Sequence, residues 1–207
     1  MSVVARRERE KLIRREIILE AAEGLFEIKG FETTTVDEIA SSAELGKGTI
    51  YSYFRSKEEI YIAILEKGLN VLMEKCRQAI VGSNSATEAL NNLYLTFVKY
   101  HQEHQGFIET LILQADEQRA LKLGDLIINL RGKATDWVDL VSEVLKWGIQ
   151  KGEFAELEVN KVANVIIGMI VGLIIQSKIG QISEELGSYR DTMFQMLLEG
   201  IKVKDCI

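Results

Sequence analysis

At 207 residues, 47% hydrophobic and 27% charged, the chain has an ordinary globular composition and the length for two unequal units, which excludes a disordered or low-complexity polymer. With no proline and only two cysteines, Cys76 and Cys206, it fits neither a disulfide scaffold nor a turn-rich β protein; a helical chain in a reducing cytoplasm is expected. The net charge of -6 speaks against a nucleic-acid partner only until its distribution is read, because most of the acidic surplus lies after Lys57.

The first stretch is locally basic: Arg6, Arg7, Arg9, Lys11, Arg14 and Arg15 are offset only by Glu8 and Glu10. By itself this tail fits a solvated, frayed terminus as well as a DNA contact. From Ile13 the apolar residues Ile13, Ile17, Ala21 and Leu25, with Ile18, Ala22 and Phe26 beside them, follow the helical period of a buried stripe, and Gly30 supplies its stop. Thr35 followed by Glu38 is a capping-box pair, so a second helix is expected from about Val36. Its apolar positions Val36, Ile39, Ala40 and Ala43 end at Glu44, Leu45, Gly46 and Lys47, and Ile50 and Phe54 resume the pattern. Two short helices joined by a tight turn result. Ser56 with Glu59 repeats the capping box and opens a long helix carrying Ile60, Ile64 and Leu65 to about Val81. After a linker at 82–85, further helices are expected at about 86–103, 107–119, 126–151, 158–179 and 184–202, punctuated by Gly106, Gly124, Gly152 and Gly180.

Residues 162–175 are nearly all apolar, interrupted by Asn164, Gly168 and Gly172. A membrane span needs about 20 such residues, and Lys161 and Lys178 close this run on both sides, so a buried helix of a soluble protein is expected, with no membrane partner. Being apolar all round, it needs neighbours all round. Gly168 and Gly172 lie one turn apart on one face and admit a close backbone. With Ile167, Val171 and Ile175 they form the candidate dimer interface; the alternative is the central helix of a monomeric core.

Two short helices, with the small Ala40 where they must pack tightly, have the geometry that presents a second helix to the major groove. In the run from Lys47 to Lys57, KGTIYSYFRSK, donors alternate with core residues: Ile50 and Phe54 point inward, while Lys47, Thr49, Tyr51 and Tyr53 can emerge. This run resembles the signature of the TetR family of bacterial regulators. The resemblance extends from about Ile17 through Leu65, over IILEAAEGLFEIKGFETTTVDEIA and KGTIYSYFRSKEEIYIAIL. Beyond it, only WGIQKGEF and an apolar helix ending in GLIIQ are similar to the entry to that family's dimerisation helices.

The resemblance implies an all-α protein of about nine helices, with a three-helix DNA-binding head carrying a helix-turn-helix at 1–60 and a ligand-binding and dimerisation body at 61–207. It further implies a homodimer on a double-stranded DNA operator, repression rather than activation, and a small-molecule effector. Carried over by position, Lys47 and Thr49 would reach base edges or nearby phosphates, and the amide of Gly48 sits at the positive helix end. Tyr51 and Tyr53 would donate hydroxyls to phosphate, Lys57 would hold another, and Thr35 would add a backbone contact to its cap. Blander readings stay open: Tyr51 as a core aromatic, Lys47 and Lys57 as solvated charges. The chain departs from the family at the turn, where Glu44 and Gly46 replace Gly and a small hydroxyl residue. Glu44 must take a conformation that Gly adopts freely, and Gly46 is the weaker cap.

Other chemistry is thin. His101 and His104, with Glu103 between them, lack a clear third ligand and read as a solvated helix face rather than a metal site. No nucleophile elbow, P-loop or Cys-x-x-Cys motif occurs, so neither an enzyme nor a cofactor is expected. On the helices from about 60 to 151, Tyr94, Phe97, Phe107, Trp137, Val141 and Trp147 are candidate pocket residues for a largely hydrophobic or aromatic effector, against the alternative that they fill the core. The rival readings are a TetR-like dimer whose body binds a protein partner with no effector, and an all-helical enzyme or carrier.

Overall fold

A helix of seven residues does not hold itself together in water, so the two short helices read from the sequence need a shared core. The computed structural model describes residues 3–104, 124–182 and 184–201, and among these there are α-helices and no β-strand. The helices are α1 (Val3–Lys29), α2 (Val36–Ser42), α3 (Lys47–Tyr53), α4 (Lys57–Ile80), α5 (Ala86–Glu103), α6 (Gly124–Gln150), α7 (Val159–Lys178) and α8 (Tyr189–Ile201), with a 3-10 turn at Leu186–Ser188. The helix expected at 107–119, with Phe107 and Gly106, lies outside the described residues, as does Cys206. The chain clusters into two compact units, Met1–Gly68 and Leu69–Ile207.

In the first unit the shared core is there. Ile18, Leu19 and Ala22 of α1, Ile39 and Ala40 of α2, Ile50 of α3, Phe54, and Ile60, Ala63 and Ile64 of α4 form one buried cluster. The capping box closes as expected: Thr35 Oγ1 accepts from the Glu38 amide at 3.3 Å, and the Glu38 carboxylate accepts from the Thr35 amide at 2.9 Å. Lys29 pairs with that carboxylate, and its hydrogen bond, followed by those from Thr35, lowers the Glu38 pKa from 4.5 to about 2. A carboxylate so depressed contributes fully above its unfolded pKa, and the contribution is lost as pH falls toward about 2. The stripe expected at Ile13 and Ile17 is corrected, since these residues are 50% and 39% exposed. The reason is length: α1 begins well before the elements it packs on, and only its Ile18–Leu19–Ala22 side meets them. The basic stretch is thus helical from Val3.

In the second unit a larger cluster joins Leu72 and Cys76 of α4, Leu90 and Tyr94 of α5, Leu140 and Leu145 of α6, Ile166 and Ile174 of α7, and Met193 and Phe194 of α8. Burial pushes the Cys76 thiol up to about 12. The last helix starts at Tyr189, later than expected, because the preceding residues make the 3-10 turn instead. Leu186 of that turn is buried, and its carbonyl accepts from the Tyr94 hydroxyl at 2.5 Å.

The WGIQKGEF stretch acts as the joint between α6 and α5. Gly152 turns the chain with a φ of 72°. That turn brings the Glu153 carboxylate onto the start of α5, where it accepts from the amides of Ala86 at 2.9 Å and Thr87 at 3.1 Å. Two of the amides that a helix start leaves unpaired are thereby satisfied from outside the helix. The next residue, Phe154, is buried against Gly148 so closely that a Cβ there would overlap its ring and lie 2.9 Å from the Ala86 Cβ. Alanine at 148 would gain roughly 0.8–1 kcal/mol of helix propensity, but overpacking costs about 1–3 kcal/mol. Because Phe154 has no open side to move into, the steric term wins. Gly148→Ala is expected to destabilise the protein by about 1–2 kcal/mol in urea unfolding.

Candidate nucleic-acid interface

The exposed side of α3 is set by what its other side buries. Ile50 and Phe54 face the cluster, so Lys47, Gly48, Tyr51 and Ser52 are exposed, Tyr51 to 49%. Thr49 is half-buried, and Tyr53 packs partly on the core. The turn before α3 runs as the sequence demanded: Glu44 holds a φ of 54°, and the Leu45 amide donates to the Ala40 carbonyl at 2.9 Å. Gly46 caps α3 with no side-chain hydrogen bond.

Lys47 opens α3, where a cation meets the unfavourable end of the helix dipole. Asp37, in the first turn of α2, answers it at 2.8 Å, and that hydrogen bond raises the Lys47 pKa. Both partners are exposed, so an incoming anion can replace the carboxylate. Gly48 has open space: nothing lies within 4 Å of a Cβ built on it. Thr35 is exposed, but its hydroxyl is engaged with Glu38, accepting from the amide and donating to the carboxylate at 3.0 Å.

Lys57 sits differently from Lys47. Its ammonium donates to the carbonyls of Phe31 at 2.6 Å, Thr34 at 2.8 Å and Glu32 at 3.2 Å, and lies 4.4 Å from the centre of the Phe31 ring. Lysine has three N–H donors, and three carbonyls take them. Phe31 in turn packs against Phe26 and Tyr61, with ring centres 5.4 and 4.8 Å away. Lys57 therefore ties the α1–α2 connection to the start of α4. Ser52 and Arg55, both exposed, carry no signal in the sequence pattern that singles them out; Ser52 stands one turn after Gly48 on the same side of α3, and Arg55 follows just beyond the end of that helix at Tyr53.

The other candidates separate into two groups. Tyr94 and Val141 are buried in the body core, and Tyr94 meets Phe194 edge-on at 6.1 Å. Phe97 and Trp137, partly buried, meet edge-on at 5.4 Å, and Trp147 is also partly buried. His101 is buried, while His104 lies against Tyr100 at 4.3 Å. On α7, Ala163, Ile166, Ile170 and Ile174 face the core. Gly168 is exposed and Ile167, Val171, Gly172 and Ile175 are half-buried. Beside them Val165 and Met196 are 58% and 66% exposed, and Gly168, Gly172, Tyr189 and Met196 line an open groove. By length and composition Val159–Ser177 is long and apolar enough to cross a membrane, and 22% of its most apolar window is buried. Its packed face makes it part of the body core.

Comparison with known proteins follows the same division. Residues 18–64 match the family described as bacterial regulatory proteins, tetR family. The chain is 31% identical to the HTH-type transcriptional repressor KstR2 of Mycobacterium tuberculosis over 157 residues, covering 74% of this chain and 76% of that protein. It is 26% identical to the fatty acid metabolism regulator protein of Bacillus subtilis, covering 90% and 95% of the two chains. In fold it is similar to the transcriptional regulator FadR from Bacillus subtilis, solved in complex with stearoyl-CoA, with a TM-score of 0.74 at 22% identity over 90% of this chain and 98% of that one.

The clasp at Lys57 has a measurable signature. Hydrogen bonds to a charged group contribute roughly 1.5–3 kcal/mol when buried and less when partly exposed. Lys57→Met keeps the stem and removes the donors, so unfolding free energy is expected to fall by about 1–2 kcal/mol. A lysine serving only an external ligand would leave that free energy unchanged.

Proposed function

Because the chain belongs to the TetR family of bacterial transcriptional regulators, we propose that it is a repressor that binds a palindromic operator as a homodimer and is released by a small, largely apolar effector. DNA binding is assigned to residues 1–60, and effector binding and dimerisation to 61–207.

The observation that carries the reading is Gly48. Glycine is a poorer helix former than alanine, and at this second position of α3 the fold has no use for it, since the space beside it is open. Close approach by something outside the chain accounts for the residue. Around it stand Lys47, Tyr51 and Ser52, donors suited to phosphate oxygens and base edges, with Thr49, Tyr53 and Thr35 at the margin. Lys57, expected as a phosphate contact, is engaged as the clasp that holds the α1–α2 corner.

Dimerisation is assigned to the outward side of α7 and to α8. A helix with one apolar face in the core and another left open calls for a second surface, and Gly168 and Gly172 admit close approach. For the effector, a FadR solved with stearoyl-CoA and a relative named for fatty acid metabolism support an apolar, acyl-type ligand. The partly buried Phe97 and Trp137 of the body fit such a ligand.

The test is binding to DNA from upstream of the chain's own gene, followed by fluorescence anisotropy. Lys47→Ala and Gly48→Ala are each expected to weaken binding at least tenfold while leaving the melting temperature unchanged or, for Gly48→Ala, raised. Stearoyl-CoA is the first effector to add, and it should release the DNA and raise the melting temperature. Unchanged affinity in both variants would sink the assignment of α3. Release by no apolar compound would favour a body that binds a protein partner. Separately, a Cβ built on Gly172 meets no atom within 4 Å and the position opens on the groove, so Gly172→Arg should fold normally. Light scattering is expected to report a monomer, and a well-folded dimer would place the interface elsewhere.

A further inference from the structure

The helix α1 begins at Val3, yet its first residue in the buried cluster is Ile18. The intervening side chains at 4–14 are all exposed, and the stretch through Arg15 carries six cations against two carboxylates in a chain whose net charge is -6. Nothing in the packing of the first unit explains that concentration. Of the two carboxylates, Glu10 is paired with Arg6 at 2.9 Å. Among the described residues no carboxylate pairs with Arg7, Arg9, Lys11 or Arg14.

Helical geometry arranges these cations. Arg7, Lys11 and Arg15 recur every four residues, with Arg14 beside them, so they form a stripe along one side of α1. Arg15 lies on the side that continues into Ile18, Leu19 and Ala22, and its guanidinium stands 5.1 Å from the centre of the Phe54 ring. Phe54 is the residue that closes α3. The stripe therefore starts at the C-terminal end of the exposed helix and, at 1.5 Å per residue, reaches roughly 12 Å further at Arg7.

We infer that this N-terminal extension of α1 is a second DNA-binding element, whose Arg7, Lys11 and Arg14 contact phosphates flanking the bases met by α3. The inference rests on the proposed DNA-binding role of the first unit and extends the contact beyond the helix-turn-helix. Charge complementarity selects the partner. An anionic membrane would attract the same charges, but a surface-lying helix needs one apolar face, and here Leu12 and Ile17 are on different sides of the helix while Val4 and Ile13 face apart. A stripe of cations without an apolar face is suited to a polyanion. Such contacts carry no sequence information, so they add affinity for any duplex and steepen its salt dependence.

The test is the triple variant Arg7→Gln, Lys11→Gln, Arg14→Gln, with Arg15 left in place because it packs on Phe54. Glutamine keeps helix propensity, and the melting temperature should not move. Each phosphate that the protein no longer neutralises lowers the slope of log affinity against log salt by about 0.9, so in a dimer the slope is expected to fall by at least about 2. Affinity at physiological ionic strength should fall tenfold or more, equally for upstream DNA and for a duplex of arbitrary sequence. A second variant lacking residues 2–11 should shorten the hydroxyl-radical footprint at its outer edges. An unchanged slope in the triple variant, with wild-type protein binding DNA and Lys47→Ala impaired, overturns the extension and leaves the α3 assignment standing. Wild-type protein that binds no DNA overturns both. Loss of binding to vesicles containing phosphatidylglycerol, with the DNA slope kept, assigns the stripe to a membrane and also overturns it.

Discussion

Four isoleucines, one from each of α1 to α4, meet in the first unit: Ile18, Ile39, Ile50 and Ile60, all of them buried. Helices shorter than about 12 residues are marginal on their own, and α2 and α3 have seven each. Their helicity therefore depends on that shared core, with the capping box and the Glu44 turn fixing where each begins and ends. What α3 exposes is a consequence. Once Ile50 and Phe54 are committed inward, Lys47, Gly48, Tyr51 and Ser52 have no other direction to take.

Two lysines at helix starts show how similar sequence positions acquire different work. A cation at a helix N-terminus is unfavourable, and each lysine has found compensation. Lys47 takes it from an exposed carboxylate, an arrangement that another anion can enter. Lys57 takes it from three backbone carbonyls and an aromatic ring, an arrangement with no donor left over. Residue type and position along the helix are the same; the difference lies in which loop folds back to meet the ammonium.

That contrast also marks what can be read from the chain. The capping box at Thr35 and Glu38, the inward pair Ile50 and Phe54, the strained Glu44 and the stop at Gly30 were legible, because each depends on neighbours within a few residues. The bounds of α5 were legible for the same reason. The partners of Lys57, more than twenty residues away, were not, nor was Glu153, which caps α5 from 67 residues downstream. Periodicity placed Ile13 and Ile17 in a buried stripe because it reports what a helix offers, and only the position of α2, α3 and α4 decides how far along α1 the offer is accepted. The start of α8 was misplaced in like manner, since Tyr94 holds the Leu186 carbonyl from another helix.

The buried Cys76 has a use that its inertness creates. A thiol with a pKa near 12 is almost wholly protonated at neutral pH, and thiolate is the form that reacts with disulfides and alkylating reagents. Closed inside the body, it is also out of their reach. Reaction at Cys76 must then wait for the buried cluster around it to open, so in a chain with Cys206→Ser the labelling rate counts openings of the body. The side chain becomes a clock for local unfolding, readable without adding any probe to the core.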